Sequence, residues 1–288
     1  ASTATVTVTD PVGGGVPAVF GGVQTTTVGG DKGSIAVGYD QLGLTAGDVV
    51  VVTVTTDFSN AGSVIVQDIG HPGGLMVYNA DDQTIGQPRL RVDVLVYDGS
   101  WPATLDYTFS SPDNETWIAY ASKWTGVDTV NPVADSAGIY NGVTINPTSP
   151  ALTALEDKLV AVAAYGARED DFDSNGTPAG YTTIGLGASN TGASGSSSGL
   201  SYQGGIAVGT VPAAVWTQAA ATESHAVHLL LRAEPPPSGG ANQTPVTADG
   251  RPYGGAAVVA AVLTGASSLD SDGYALQSLW KYDGGREP

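Results

Sequence analysis

Residues 44–56 read Leu-Thr-Ala-Gly-Asp-Val-Val-Val-Val-Thr-Val-Thr-Thr, and this stretch decides the fold. A Gly-Asp turn signal runs straight into a series of β-branched residues, the composition of a strand bounded by a turn. Similar runs of Val, Ile, Thr, Leu and Tyr recur from about Ser34 to Ala233 and stop just before Pro235-Pro236-Pro237. Gly, Pro, Asn and Asp separate them, which is the spacing of a sandwich or barrel rather than of βαβ units. The candidate strands are 34–37, 48–56, 63–67, 75–78, 89–97, 103–109 and 116–124, then 159–167, 181–187, 199–208 and 225–233. The expected fold is an all-β, antiparallel sandwich.

Outside this series the chain changes texture. Residues 1–23 open with the alternating Ala4-Thr5-Val6-Thr7-Val8-Thr9 and pass through Gly13-Gly14-Gly15 and Gly21-Gly22, which reads as an N-terminal strand arm. A lone strand cannot bury itself, so the arm should pair with an edge of its own body or of a neighbouring subunit. The sandwich domain then occupies 24–234, and 235–240 forms a Pro/Gly linker. Residues 241–288, with the apolar run 256–263 and the aromatic Trp280 and Tyr282, are too few to hold a core alone and read as a docking segment. Within the body, 126–157 reads as a long connection, the usual place for binding. Its Ala151-Leu152-x-Ala154-Leu155-Glu156 has the spacing of one helical turn in 148–158. The Ser/Gly-rich 189–199 reads as a mobile hairpin tip.

Composition narrows the functional classes. The 288 residues include 40 Gly and 17 Pro with only 13% charged side chains, a turn-rich and strand-rich chain. Its 28 acids against 10 bases give a formal charge of −18, which repels nucleic acid and anionic lipid. There is no Cys, hence no disulfide and no thiolate. No basic-then-apolar leader and no apolar run of membrane-spanning length stands in the chain, so membrane insertion is not expected. A start at Ala1 fits either a leader already removed or an initiator Met clipped in the cytoplasm of the producing cell.

Four pieces, in order, carry a family resemblance: Leu44–Val52 as quoted above; Ile118-Ala119-Tyr120-Ala121-Ser122-Lys123-Trp124-Thr125-Gly126-Val127-Asp128 with Asn131-Pro132; Pro178-Ala179-Gly180-Tyr181-Thr182; and Ala226-Val227-His228-Leu229-Leu230-Leu231-Arg232-Ala233. Together they resemble a jelly-roll, concanavalin-like β-sandwich family found in tailed-phage virion proteins (decoration, fibre, tail-tip) and in bacterial surface proteins. The resemblance covers roughly residues 34–234. It implies a virion structural role with no shared catalytic residues. His71-Pro72-Gly73-Gly74-Leu75 departs from the family pattern, in which a Trp follows the Pro-x-Gly turn.

Asp171-Phe172-Asp173-Ser174-Asn175-Gly176 spaces oxygen ligands as a Ca²⁺ loop does, making Asp171, Asp173 and Asn175 candidate metal ligands. The twelfth position of such a loop would be Thr182 rather than Glu, so a solvated acidic turn explains the same run. Asp270-Ser271-Asp272-Gly273 is a weaker candidate of the same kind. His225 and His228 are three apart on one strand and should face opposite sides, which separates them as metal ligands. No G-x-S-x-G elbow stands between a strand and a helix, and Gly195-Ser196-Ser197-Ser198-Gly199 reads only as low-complexity loop. Chance pairs among abundant carboxylates do not make a glycosidase. Trp101, in Asp98-Gly99-Ser100-Trp101-Pro102, is the candidate glycan contact at a loop tip, whereas Trp117 and Trp124 alternate with apolar neighbours as core residues do.

The reading that emerges is a non-enzymatic structural protein of a tailed-phage virion, a surface decoration, fibre or tail component made in the host cytoplasm. It requires no cofactor, with Ca²⁺ as the one candidate ion. Its partners are other virion proteins and copies of itself, a trimer first among the symmetric options, with host surface glycan as an outward target. The alternative is a glycan-binding module of a cell-surface or secreted, extracellular protein.

Overall fold

The computed structural model describes residues 17–57, 64–67, 74–80, 87–109, 115–168, 176–188 and 195–235, and all of these but Pro235 fall within one compact unit, Gly15–Glu234. They form an all-β, jelly-roll-like antiparallel sandwich. One five-stranded sheet has the order β1 (Val19–Lys32), β8 (Glu115–Thr125), β3 (Val49–Thr56), β6 (Arg89–Val96), β5 (Leu75–Asn79). The other has the order β12 (Thr182–Ala188), β13 (Ser196–Ile206), β11 (Leu159–Arg168), β15 (Thr222–Leu231), β9 (Val133–Thr144). The first sheet comes wholly from the N-terminal half of the body and the second from the C-terminal half. They stack strand on strand, β1 on β12, β8 on β13, β3 on β11, β6 on β15 and β5 on β9, the aligned mode of sheet packing.

Each sheet is covered on its outer face as well. The small sheet β2 (Ser34–Val37), β7 (Leu105–Phe109), β4 (Ile65–Gln67) lies over the first, and the pair β10 (Leu152–Ala154) and β14 (Gly209–Val211) lies over the second. This layering explains the unbroken Val run of β3. Val49 and Val51 face the other sheet with Ile118, Trp124, Val162 and Leu229, whereas Val50, Val52 and Val54 face the small sheet with Ile35, Leu105 and Trp117. A half-exposed antiparallel strand alternates apolar and polar residues. Here both faces are buried, so the alternation disappears. Trp117 and Trp124 are core residues, as their apolar neighbours imply.

Several boundaries differ from the sequence reading. The arm boundary at residue 23 falls inside β1, whose register begins at Val19 opposite Thr125. Val19–Val23 thus belong to the body, while 1–16 and 236–288 lie outside the described residues. The supposed connection 126–157 contains β9 and β10. β9 escaped notice because it is an edge strand that pairs only with β15, so its half-buried positions tolerate Asp, Ser, Gly and Asn. Where a helical turn was expected, Leu152 and Ala154 point inward and Leu155 outward, which is strand periodicity. Ser196–Ser198 are not a mobile tip but buried members of β13. Ser198 and Gly166 are a registered pair facing Thr55, and only small side chains fit where the two sheets approach that closely.

Candidate functional site

The sandwich has two ends, set apart by the strand termini that each gathers. At one end the body's chain begins, at Val19, and leaves, at Glu234. Here Gly47 N bonds Tyr97 O, and the turn Thr45–Asp48 is closed by Asp48 N donating to Thr45 O at 2.9 Å, with Gly47 at φ 96. That is a type II turn, which demands a residue free to take positive φ at its third position; Pro178–Tyr181, with Gly180 at φ 82, is a second. The Gly-Asp signal therefore has a physical meaning. Asp48 Oδ2 accepts from Thr45 N at 2.6 Å and Thr45 Oγ1 at 2.9 Å, and Lys123 Nζ lies 2.9 Å away. Burial raises the Asp48 carboxyl, but the Thr45 N–H, Lys123 and the Thr45 hydroxyl together outweigh it and hold the carboxyl below its ordinary value.

The departing chain is pinned at the same end. Val127 bridges Ala233, Asp128 N donates to Arg232 O at 3.0 Å and Glu234 N to Gly126 O at 2.7 Å. Asp128 Oδ1 accepts from Val130 N and Asn131 N, an Asx turn, and Arg232 pairs with Glu156 at 2.6 Å. Around these exits stand four outward apolar side chains: Val19, Val130, Leu155 and Val208 at 52%, 81%, 85% and 59% exposure. Single exposed apolar residues mean little, but four gathered where both termini depart make an end suited to contact. The sequence put these residues in an arm (Val19), a connection (Val130), a helical turn (Leu155) and a strand end (Val208), because nothing in a sequence tells which segments share an end.

Trp101 is also at this end. It is half-buried, edge-on to Tyr39 at 5.5 Å and to Tyr97 at 5.1 Å, and its Nε1 is buried without a hydrogen-bond partner among the described residues. Tyr39 OH donates to Pro102 O, and burial, with the neighbouring Tyr97 adding, raises the Tyr39 phenol. The candidate glycan contact is thus one member of a three-ring cluster over the small outer sheet.

The opposite end is where the described strands stop at Asp57, Phe109, Arg168 and Ala188. The connections 58–63, 81–86, 110–114, 169–175 and 189–194 join strand termini there. They carry Asp81, Asp82, Asp113, Glu169, Asp170, Asp171 and Asp173 and no Lys, Arg or His. The candidate Ca²⁺ ligands Asp171, Asp173 and Asn175 lie outside the described residues, as does Asp270–Gly273. The next residue, Gly176, is described and bonds Thr217 O through its N–H at 2.7 Å. Beneath this end the two sheets meet through polar groups. Thr55 Oγ1 donates to Ser198 Oγ at 3.0 Å, Ser196 Oγ to Thr116 O at 3.2 Å, and Arg168 Nε lies 3.3 Å from Asp57 Oδ1.

Several further buried polar groups tie the layers together. Arg91 pairs with Asp93 at 2.7 Å, donates to Ile65 O at 2.9 Å and lies over the Tyr107 ring at 5.7 Å, tying the small sheet to the first sheet. Burial, reinforced by the Asp93 carboxylate, pushes the Tyr107 phenol well up. His225 faces the first sheet and meets Tyr78 OH at 2.8 Å, whereas His228 faces outward, toward Tyr181 OH at 2.7 Å and Pro150 O at 2.9 Å. The two histidines do lie on opposite faces, and no group of three His, Asp or Glu side chains is arranged to hold a metal among the described residues. Comparisons with protein-family models, with curated proteins and with solved structures find no match to this chain.

Proposed function

We propose that this chain is a structural component of a tailed-phage virion that docks by one end of its sandwich and displays the other. The observation that carries the reading is that the described body begins and leaves at one end, the end that exposes Val19, Val130, Leu155 and Val208. An apolar end continuous with two further stretches of chain is suited to contact with copies of itself or with other virion proteins, by apolar burial and by strand addition. A net charge of −18 keeps the displayed surface soluble and non-adherent to nucleic acid. The likeness of the turn motifs to phage sandwich domains supplies the setting, and a symmetric oligomer follows from that setting.

The absence of Cys makes the test direct, because single cysteines report exposure without background. Val130→Cys marks the docking end and Ala221→Cys the far end. In the full-length assembly, Ala221→Cys should react with a maleimide at the rate of an exposed thiol and Val130→Cys at least tenfold more slowly. Equal rates at both sites would count against the reading and move glycan binding, with and without Ca²⁺, to the front.

A further inference from the structure

Three of the four apolar side chains at the docking end are drawn together by a polar frame. Arg232 Nε donates to Glu156 Oε1 at 2.6 Å and its Nη1 donates to Asn131 O at 3.0 Å. One guanidinium thus grips the residue after Leu155 and the residue after Val130. Val208 is held to the same turn as Leu155, because its N–H donates to Asp157 Oδ1 at 2.9 Å. Leu155 and Val130 are the two most exposed large apolar residues among those described, and Val208 joins them.

The turn that presents Leu155 runs from β10 into β11 and ends on Lys158, which is exposed. Its φ of 65 is the one positive φ at a non-glycine residue among those described. A side chain crowds the backbone in this left-handed region, and glycine takes it freely. In a chain with 40 Gly, a lysine stands here instead. The shape of the turn therefore does not select the lysine, and an outlier of this kind points toward a function. Charge supplies one. The frame of Glu156, Asp157, Lys158 and Arg232 holds two acids and two bases, no net charge in a chain that carries −18. Two such frames can meet without the repulsion that an acidic surface imposes, and each carries both halves of an ion pair.

We infer that this patch is where one copy of the chain meets another, an assignment that rests on the docking reading above. Leu155, Val130 and Val208 pack on the same three residues of a second copy across a symmetry axis, and Lys158 of each copy reaches the Asp157 carboxylate of the other. The surface is self-complementary, as contact about such an axis requires. Its aliphatic side chains offer no aromatic face on which a sugar could stack. A stable interface takes roughly 20–30 residues a side, so the patch aligns the copies and the remainder of the docking end completes the contact.

Light scattering of the full chain over a dilution series tests this, with circular dichroism to confirm that each variant is folded. Leu155→Ser and Lys158→Glu, both at exposed positions, should raise the concentration at which the oligomer dissociates at least tenfold. Lys158→Gly removes the charge and suits the backbone, and it keeps the test available if Lys158→Glu does not fold. Compared where both chains are monomeric, it should unfold at a higher urea concentration than the parent, yet associate more weakly. A lower urea midpoint would mean that the lysine serves the fold and counts against its role at the contact. Dissociation at the parental concentration in all three variants overturns the proposal and leaves the docking reading standing. A parent that is monomeric throughout removes both.

Discussion

Lys123 on β8 places its ammonium 2.9 Å from the Asp48 carboxylate that closes the turn into β3, and donates from the same nitrogen to Gly43 O at 2.8 Å. One side chain thereby fastens the start of the central strand to its neighbour and to the preceding turn. Asp48→Asn keeps the shape but removes the charge from these bonds. The expected loss is about 1.5–3 kcal/mol, the range for hydrogen bonds to charged groups, read as a lower urea midpoint. The parent should also lose stability in acid. Its Asp48 carboxyl is held below the ordinary value, so this contribution is present above about pH 4 and lost as pH falls through the folded value. The variant should show a shallower acid limb.

Gly166 sets how closely the two sheets approach. A Cβ there would lie 2.7 Å from both Thr55 Cγ2 and Thr55 Oγ1, in the middle of the Thr55–Ser198 contact. Gly166→Ala should cost about 1–3 kcal/mol through overpacking, measured by denaturant unfolding. A variant as stable as the parent would mean that the sheets can separate locally at no cost, contrary to this packing.

His228 gives a second pH dependence of opposite origin. Its Nδ1–H donates to Pro150 O, which fixes the tautomer and leaves Nε2 to accept from Tyr181 OH. Burial lowers its pKa, opposed by the Pro150 carbonyl and by Asp135, and burial pushes the Tyr181 phenol up to about 12. A base whose folded pKa is depressed binds more protons when unfolded. Stability from His228 is therefore complete above about pH 6.5 and falls as the pH drops below it. The urea midpoint should fall between pH 7.5 and 5.5, and His228→Gln should flatten that slope. An unchanged slope in the variant would show that another group is responsible.

Most of the fold was legible in the sequence because β-branched runs and turn residues report directly on strands, and β2 appears at its read boundaries, Ser34–Val37. What escaped were positions where tertiary context overrides local composition. The Ser196–Ser198 run looks loose by composition, yet its small side chains are what close sheet contact requires. β9 is lined with Asp, Gly and Asn because a half-buried edge tolerates them. The site was less legible still. Val130, Leu155 and Val208 are far apart in the chain and come to one end only because strand termini of the body gather there.

On the proposed function, the body folds by itself and the chain beyond it drives assembly. The most direct measurement compares the mass in solution of 1–288 with that of 17–235 by light scattering, the trimmed chain keeping all of β1. The account predicts a defined oligomer for the full chain and a folded monomer for the trimmed one. Monomers from both would contradict it.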